Sequence, residues 1–465
     1  MSENNQTNEM GTGSIPKLFF KLALPAVVAQ IVNLLYNIVD RIYIGHIPEV
    51  GASALTGVGL FSAILMLITA FSMLCGAGGA PLSAIELGKG DTNRAEKIMT
   101  NSFLLLLLFS AILTVVLYII APTLLTMFGA SKTTLPYAVD YARIYILGTV
   151  FVLTVTGMTP FLTTQGFANI AMLTTVIGAV INILLDPLFI FVFHMGVKGA
   201  AIATVLSQAV AAIWILRFLT GKKTLLKLRK ENMKLDPKIF GSILALGISP
   251  FIMVSTESLL SISFTTSLAK YGGDIAVGAM TIITSINMLV TMPLQGFVQG
   301  AQPIMSYNYG AKNGERVKKT FFLLLCVCVG YATVFWSLCM FVPNVLSGIF
   351  TTDAALAEYA SWAIRIYMAG IFSLGFQNSC QQSFMALGQA VYSLILAFLR
   401  KLILLIPLIF ILPNFFADKV FAVFLAEPVS DIIAATVTTV VFFTQFKKIM
   451  AKTQKPVEAE SQATE

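Results

Sequence analysis

The sequence has few charged residues. They make up 11% of its 465 positions, against 57% hydrophobic residues. A soluble domain carries about 25% charged residues, so the surface of this chain does not mostly face water. Histidine occurs only at positions 46 and 194, and the HExxH, Walker and GxSxG motifs are absent. These absences argue against metalloprotease, nucleotide-hydrolysing and serine-hydrolase chemistry and predict that the protein is not an enzyme.

Cysteine is also scarce. The five cysteines lie in apolar stretches without metal-ligand spacing, so we interpret them as reduced packing residues and expect no cofactor. The net charge of +8 comes mainly from lysine and arginine in short loops between apolar runs. That placement indicates a membrane topology and argues against a nucleic-acid partner.

An internal repeat is present instead. At a shift of 222 residues Pro81 matches Pro303 and Gly88 matches Gly310, without insertion or deletion. Further matched pairs are Arg94 and Arg316, Lys97 and Lys319, Arg143 and Arg365, and Gly166 and Gly388. The chain therefore consists of two copies of one unit. In a chain this apolar, such a repeat is typical of a transporter whose site lies between two halves.

Twelve apolar segments are long enough to cross a membrane, since about 20 residues span the hydrocarbon core. They lie near 18–44, 53–86, 97–120, 138–160, 168–193, 198–219, 239–268, 275–306, 319–341, 360–385, 390–412 and 419–446. We therefore predict an all-α membrane protein with twelve transmembrane helices in two pseudo-symmetric six-helix lobes. Six helices per lobe is an even number, so both copies have the same orientation in the membrane.

Lysine and arginine predict the orientation of the chain. One set of alternate loops and tails holds twenty of them, whereas the opposite loops hold only Lys132, Lys198, Lys270 and Lys419. The positive-inside rule therefore predicts that both termini are cytoplasmic. The predicted divisions are a cytoplasmic tail at 1–16, a first lobe at 17–220, a cytoplasmic linker at 221–238, a second lobe at 239–447 and a cytoplasmic tail at 448–465.

Four polar residues share one face of the first apolar segment. Gln30, Asn33, Asn37 and Asp40 recur at i, i+3, i+7 and i+10, which is helical spacing. A carboxylate within a membrane segment is by default a functional candidate that faces a cavity or an ion pathway. The alternative is a helix-end charge, because Arg41 follows Asp40 directly.

The fifth and sixth segments carry matching groups. Asn182 and Asp186 are four residues apart on one face, and Thr204 lies near the outer end of the next segment. A rise of about 1.5 Å per residue places these three and Asp40 in the outer half of the first lobe. The alternative for Asn182 is a hydrogen bond that only joins helices.

The second half has two stripes of glutamine. Gln295, Gln299 and Gln302 share one face of segment eight, and Gln377 and Gln381 share a face of segment ten. Amides that face lipid are unsatisfied, so we expect these side chains to face water or substrate. The predicted substrate cavity comprises Gln30, Asn33, Asn37, Glu257, Gln295, Gln299, Gln377, Gln381 and Arg400.

Five charged residues accompany these stripes. Arg400 and Lys401 fall close to the middle of segment eleven, and the available counter-charges are Glu257, Glu427 and Asp431. Two interpretations remain open for this group, a structural salt-bridge network and a direct role in transport.

Two stretches of sequence resemble the multidrug and toxic compound extrusion (MATE) family, in particular its MepA-like bacterial branch. They are GAQPIMSYNYGAKN at 300–313 and NILLDPLFIF…GVKGAAIATVLSQ within 182–208, and the resemblance extends over residues 15–450. It implies a multi-pass protein of the bacterial cytoplasmic membrane that exports lipophilic organic cations such as dyes, biocides and fluoroquinolone-like drugs. Its expected partners are these small molecules and membrane lipid, and we expect a monomer.

The resemblance also implies roles for particular residues. Asp40, Asn182, Asp186 and Thr204 match the family's first-lobe site, where the coupling ion is H⁺ or Na⁺. The same four residues are metal ligands only if that ion is sodium. Neutralising a carboxylate there is expected to bias the protein between outward-open and inward-open states.

The second lobe departs from the family's sodium-site pattern. Glu257 matches its acidic residue on helix seven, but helix ten offers only Gln377, Asn378 and Gln381. An alternative function is that of a flippase for a lipid-linked saccharide, which shares the two-lobed plan. A flippase tends to need a basic central cavity, and Arg400 and Lys401 are the candidates for it.

Overall fold

The computed structural model describes residues 9–351 and 353–453. Residues 1–8 and 454–465 of the two predicted tails lie outside the described residues. Helices make up nearly all of the described part, which contains no strand. We number the membrane-spanning helices α1 to α12 and leave the shorter helices unnumbered.

The first lobe contains α1 to α6. Their bounds are Ile15–Gly45 (α1), Gly51–Gly88 (α2), Thr92–Met127 (α3), Leu135–Leu147 with Thr149–Thr164 (α4), Ala168–Pro187 (α5) and Gly196–Leu219 (α6). The two parts of α4 are bent by 60°. Helix α5 continues as a π-helical turn, Leu188–Val192.

The second lobe contains α7 to α12. Helices α7 and α8 lie before and after Gly273 in Pro237–Gly310, because the backbone at Gly273 is non-helical, with φ 65° and ψ −160°. The others are Gly314–Phe341 (α9), Ala354–Tyr367 with Ser373–Ala386 (α10), Ala390–Phe398 with the π-helical Leu399–Leu405 and Ile406–Ile411 (α11), and Lys419–Thr453 (α12). The shorter helices are Lys230–Asn232, Pro343–Phe350, Met368–Gly370 and Leu412–Asn414.

The predicted fold class is confirmed. Within the described residues nine continuous helices are long and apolar enough to cross a membrane, and the bent α4 is a tenth. The division at Gly273 and the two-part α10 bring the number of spans to twelve. Each lobe has its own buried apolar cluster, built mainly around Phe61 and Phe161 in the first and around Phe321 and Phe442 in the second.

The internal repeat is visible in the backbone of two turns. The α2–α3 turn passes through Gly90 at φ 85°, and the α8–α9 turn passes through its repeat partner Lys312 at φ 55°. After each turn a side-chain oxygen caps the next helix: Asp91 accepts from the backbone N–H of Arg94, and its partner Asn313 accepts from that of Arg316. The two lobes therefore use the same turn geometry and the same type of helix cap.

Reciprocal glycine contacts join the lobes where α2 and α8 end. A Cβ on Gly88 would lie 1.9 Å from the carbonyl oxygen of Tyr307, and a Cβ on Gly310 would lie 1.9 Å from that of Ile85. The repeat shift exchanges these two contacts, so the crossing is pseudo-symmetric. Only glycine permits backbones to approach this closely.

Small residues also join the lobes farther back along α2, where it crosses α7. A Cβ on Gly247 of α7 would lie 1.8 Å from the carbonyl oxygen of Leu74 in α2, and a Cβ on Gly78 would lie 2.4 Å from that of Ile243. The glycine-rich stretch at 76–80 therefore serves close helix packing.

Helix α1 belongs to both lobes. Its first half packs into the apolar cluster of the second lobe through Leu18, Phe19 and Leu22. Its second half contacts α5 of the first lobe. Pro25 lies between the two halves and removes a backbone hydrogen bond there.

The glycine crossing gives the first testable prediction. We expect Gly88→Ala or Gly310→Ala to separate α2 from α8 and to destabilise the protein by about 1–3 kcal/mol, the usual range for overpacking. The measurement is the midpoint of thermal unfolding in detergent.

Gly59→Ala in α2 is the matched control, since a Cβ there meets no atom within 4 Å. It should leave stability unchanged or raise it by about 0.5–1 kcal/mol through helix propensity. Equal effects of the crossing variants and the control would contradict the proposed contact.

Candidate functional site

Three polar side chains of the first lobe form a buried hydrogen-bonded group. The Nδ2 atom of Asn182 lies 3.2 Å from Oδ1 of Asp186 and 3.3 Å from Oγ1 of Thr204. The Thr204 hydroxyl donates to the carbonyl oxygen of Ala200 at 2.9 Å and so accepts from Asn182. Asn182 and Asp186 are fully buried, and Thr204 is 4% exposed.

Asp40 completes this group from α1. Its side chain is buried, and its carboxyl group lies close enough to that of Asp186 for the two to interact. Two buried carboxyl groups that interact do not readily ionise together, so this arrangement favours a bound proton or cation. The structure therefore brings together the four residues that the sequence predicts for the ion site, on α1, α5 and α6.

The local geometry of α5 follows from its sequence. Spacing of four residues puts Asn182 and Asp186 on one face. Pro187 ends the regular α-helical part directly after Asp186, and the chain continues as the π-helical Leu188–Val192. Insertions of this kind are frequent at functional sites because they redirect side chains within a helix.

Three oxygens of the group have no donor among the described residues. They are Oδ1 of Asp40, Oδ1 of Asn182 and Oδ2 of Asp186. A buried acceptor without a donor costs about 1–3 kcal/mol, so these oxygens favour a bound proton or cation. The described residues contain no cluster of three or more histidine, cysteine or acidic side chains. Two carboxylates with neutral oxygens fit a proton or a single monovalent cation.

Three tyrosines surround the carboxyl pair. Tyr36, Tyr141 and Tyr145 all lie close enough to Asp40 for an electrostatic interaction, and Tyr141 also lies near Thr204. Tyr141 and Tyr145 are each 5% exposed, with ring centroids 5.9 Å apart. Sequence reasoning missed these two rings, although their spacing of four residues placed them on one helix face.

A cavity of about 400 Å³ lies between the lobes. Most of its wall comes from the first lobe, and α7, α8 and α10 supply the rest. The amide side chains that line it are Gln30, Asn33, Gln208, Gln295, Gln299, Gln302 and Gln382. Met73, Met172, Met253 and Met385 line it as well, and none of the described residues in its wall is charged.

Four of the predicted cavity residues line this cavity, and five lie elsewhere. Gln30, Asn33, Gln295 and Gln299 are in the wall. The five that are not among the described lining residues are Asn37, Glu257, Gln377, Gln381 and Arg400.

The buried glutamines of α10 show why the prediction failed there. Gln377 and Gln381 are each 2% exposed, and Nε2 of Gln377 donates to Oε1 of Gln381 at 3.0 Å. The expectation that they face water assumed that a buried amide lacks a partner, but these two satisfy each other in part. Gln382, one residue on, faces the cavity.

The charged residues of the second lobe form ion pairs with one another. Nη2 of Arg400 lies 2.8 Å from Oδ1 of Asp431 and 3.7 Å from Oε1 of Glu427. Lys401 pairs with Glu257, and its ammonium group also donates to the carbonyl oxygen of Met253 at 3.0 Å. The counter-charges expected from the sequence are the ones that the structure provides.

A two-lobed bundle of twelve spanning helices, with a cavity between the lobes and a buried carboxylate pair, defines a membrane transporter. The MatE family model matches residues 25–188 and 250–411, one stretch in each lobe. The chain belongs to this family.

Curated relatives support the assignment along nearly the whole chain. The multidrug export protein MepA of Staphylococcus haemolyticus (strain JCSC1435) is 26% identical over 427 residues, covering 90% of this chain and 92% of the relative. The protein of the same name from Staphylococcus aureus (strain N315) is 23% identical, with 86% and 88% covered.

Solved structures share the fold. A MATE protein in its bent conformation matches with a TM-score of 0.90 at 22% identity, covering 97% of this chain and 99% of that one. A MOP-superfamily transporter from Pyrococcus furiosus matches with a TM-score of 0.89 at 23% identity, covering 96% and 98%.

The cavity wall gives a second prediction. In a cysteine-free background, Gln299→Cys should react with a hydrophilic maleimide in the folded, detergent-solubilised protein, because Gln299 lines the cavity. Gln381→Cys is the matched control and should react only after denaturation, because Gln381 is 2% exposed. Equal labelling of both folded variants would contradict the assigned positions.

Proposed function

We propose that the protein is a cation-coupled multidrug antiporter that exports lipophilic organic cations by alternating access. The observation that carries this proposal is the buried polar group of the first lobe, in which Oδ1 of Asp40, Oδ1 of Asn182 and Oδ2 of Asp186 have no donor among the described residues. The names of the relatives, which are multidrug export proteins, support the class of substrate. The alternative coupling ions are H⁺ and Na⁺.

The proposed coupling acts through the position of α1. Two ionised carboxylates that lie close together in a buried site repel each other, and a proton removes that repulsion. Sodium would have the same effect, with Asn182 and Thr204 as neutral oxygen ligands. Asp40 lies in the half of α1 that contacts α5, whereas the other half packs into the second lobe. A change in the Asp40–Asp186 contact therefore acts on the packing between lobes.

The proposed substrate is held by soft and polar surfaces. Methionine sulfur is polarizable and adapts to ligands of different shape, and the amides offer oxygen atoms to a cation. Tyr36 lies in the cavity wall and also close to Asp40 and Asp186. Ionised carboxylates behind this ring would attract a lipophilic cation, and ion binding would weaken that attraction and favour release.

The proposed orientation places both termini and the 221–238 linker in the cytoplasm of a bacterium. The support is the asymmetric distribution of lysine and arginine between the two sets of loops. Lipid surrounds the apolar outer faces of the helices, and a single chain with its two lobes acts as a monomer. Export then runs from the linker side to the opposite side.

A third prediction tests the carboxyl pair. Asp40→Asn and Asp186→Asn should each abolish the exclusion of ethidium from cells while protein remains in the membrane, because an amide cannot cycle between charged and neutral forms. The assay is ethidium accumulation with and without a protonophore. Asp140→Asn is the matched control, since its side chain is 44% exposed and pairs with Lys198 near the surface.

The same assay separates the antiporter from the flippase. Gradient-dependent exclusion of ethidium by the wild type supports the antiporter. Full exclusion by both carboxylate variants would refute the proposed coupling site. No exclusion by the wild type, together with altered cell-wall lipids in cells that lack the protein, would favour the flippase.

A fourth prediction distinguishes the coupling ions. In inside-out vesicles, dye transport is measured under an imposed proton gradient or an imposed sodium gradient. If sodium is the ion, Thr204→Val should reduce transport and Thr204→Ser should retain it, because only valine removes the oxygen ligand. If the ion is a proton, both variants should retain proton-driven transport, since the proton resides on the carboxyl pair.

A further inference from the structure

The ion pairs of the second lobe lie on the repeat partners of the ion-site helices. The ion site uses α1, α5 and α6, and the 222-residue shift maps these onto α7, α11 and α12. Glu257 is on α7, Arg400 and Lys401 are on α11, and Glu427 and Asp431 are on α12. The two lobes therefore place charged groups between the same three helices.

The residues between these three helices differ between the two lobes. Asn182 and Asp186 fall opposite Leu404 and Leu408, so the second lobe lacks the neutral and acidic groups of α5. Instead, Arg400 falls opposite Gly178, and Lys401 falls opposite Ala179. Gly178 and Ala179 line the substrate cavity. Where the first lobe has small side chains beside open space, the second lobe has two long cationic ones.

The enclosed charges of the second lobe balance without an added ion. The side chains of Arg400, Lys401, Glu427 and Asp431 are 15%, 5%, 11% and 5% exposed. They comprise two cations and two carboxylates. Glu257 is the fifth group; its side chain is 51% exposed, so it is not enclosed, and it pairs with Lys401. In the first lobe, by contrast, the enclosed group contains two acidic residues and no enclosed cation among the described residues.

Arg400 and Lys401 are adjacent in the chain but pair with different helices. Arg400 and Lys401 lie within the π-helical Leu399–Leu405, and they bind in different directions. Arg400 reaches α12 through Asp431, and Lys401 reaches α7 through Glu257 and the Met253 carbonyl.

We propose that Arg400 and Lys401 act as tethered cations that permanently fill the space between α7, α11 and α12, the second lobe's equivalents of the three ion-site helices. The second lobe then binds no exchangeable ion and keeps the helix packing of an ion-loaded lobe throughout the cycle. Only the first lobe responds to the gradient, and one ion site operates per transport cycle. This inference rests on the proposed function of the Asp40–Asp186 pair.

The first test measures ion binding as a shift of the unfolding midpoint, since an ion that binds only the folded state raises it. The protein in detergent is titrated with NaCl at fixed ionic strength, and separately with acid. Wild type should show a midpoint that rises with the coupling ion, and Asp186→Asn should lose that rise entirely. A residual rise in Asp186→Asn that disappears on adding Glu427→Gln would place an exchangeable ion in the second lobe and overturn the proposal.

The second test removes a tethered cation and replaces it from solution. Lys401→Ala should lower the unfolding midpoint, and propylammonium, which matches the deleted part of the side chain, should restore it in a saturable manner. Propanol at the same concentration should not restore the midpoint, because it lacks the positive charge. Lys447→Ala, an exposed lysine of the same lobe, should show neither the loss nor the rescue.

The outcomes are separable. If Lys401→Ala is destabilised but propylammonium and propanol act alike, the lysine only fills space and the proposal fails. If Lys401→Ala does not fold, the Asp186→Asn titration alone decides the question. If wild type shows no ion-dependent shift of the unfolding midpoint and the carboxylate variants still export dye, the proposed function itself fails. If Asp186→Asn does not transport dye but still shows an ion-dependent shift, only the proposal of tethered cations is contradicted.

Discussion

Charge that is enclosed within a membrane-spanning bundle must be compensated, because removing an ion from water costs several kcal/mol even after the protein relaxes. The two lobes meet this requirement in different ways. In the second lobe Arg400 and Lys401 supply fixed counter-charges to Asp431, Glu427 and Glu257. In the first lobe Asp40 and Asp186 face each other with acceptor oxygens that have no donor among the described residues. In the proposed mechanism, the coupling ion supplies this compensation from solution.

Helix α1 connects the compensation of the Asp40 charge to the packing between the lobes. One half of this helix is packed in the second lobe by Leu18, Phe19 and Leu22, and the other half carries Asp40 to α5. The glycine contacts of α2 with α7 and α8 hold the lobes at backbone distance on the linker side. Close-packed interfaces of this kind change between discrete arrangements rather than deforming gradually. In the proposed mechanism, an ion at Asp40 therefore favours one arrangement of the lobes over another.

Much of the fold and part of the site could be predicted from the sequence. The twelve spans follow from apolar length. Helical spacing and depth, which are both local properties, placed Asp40, Asn182, Asp186 and Thr204 in the same part of the first lobe, and the family resemblance implied their role as an ion site. The failures involve partners from other parts of the fold. Gln377 and Gln381 were expected in the cavity because burial of an amide is costly, yet each reduces that cost for the other. Tyr141 and Tyr145 were missed because a tyrosine in a membrane segment gives no signal until its neighbours are known.

The internal repeat gains its functional meaning from its mismatches. Matched positions such as Gly88 and Gly310, or Asp91 and Asn313, form the same contacts in both lobes and so serve the architecture. At mismatched positions the two copies carry different residues on equivalent helices. Gly178 opposite Arg400 is such a position: glycine leaves space in the cavity wall, and arginine fills its counterpart and neutralises Asp431. The same difference between the lobes that fills this space in the second lobe also supplies a cation there, so it accounts both for the larger share of the cavity wall in the first lobe and for the paired charges of the second.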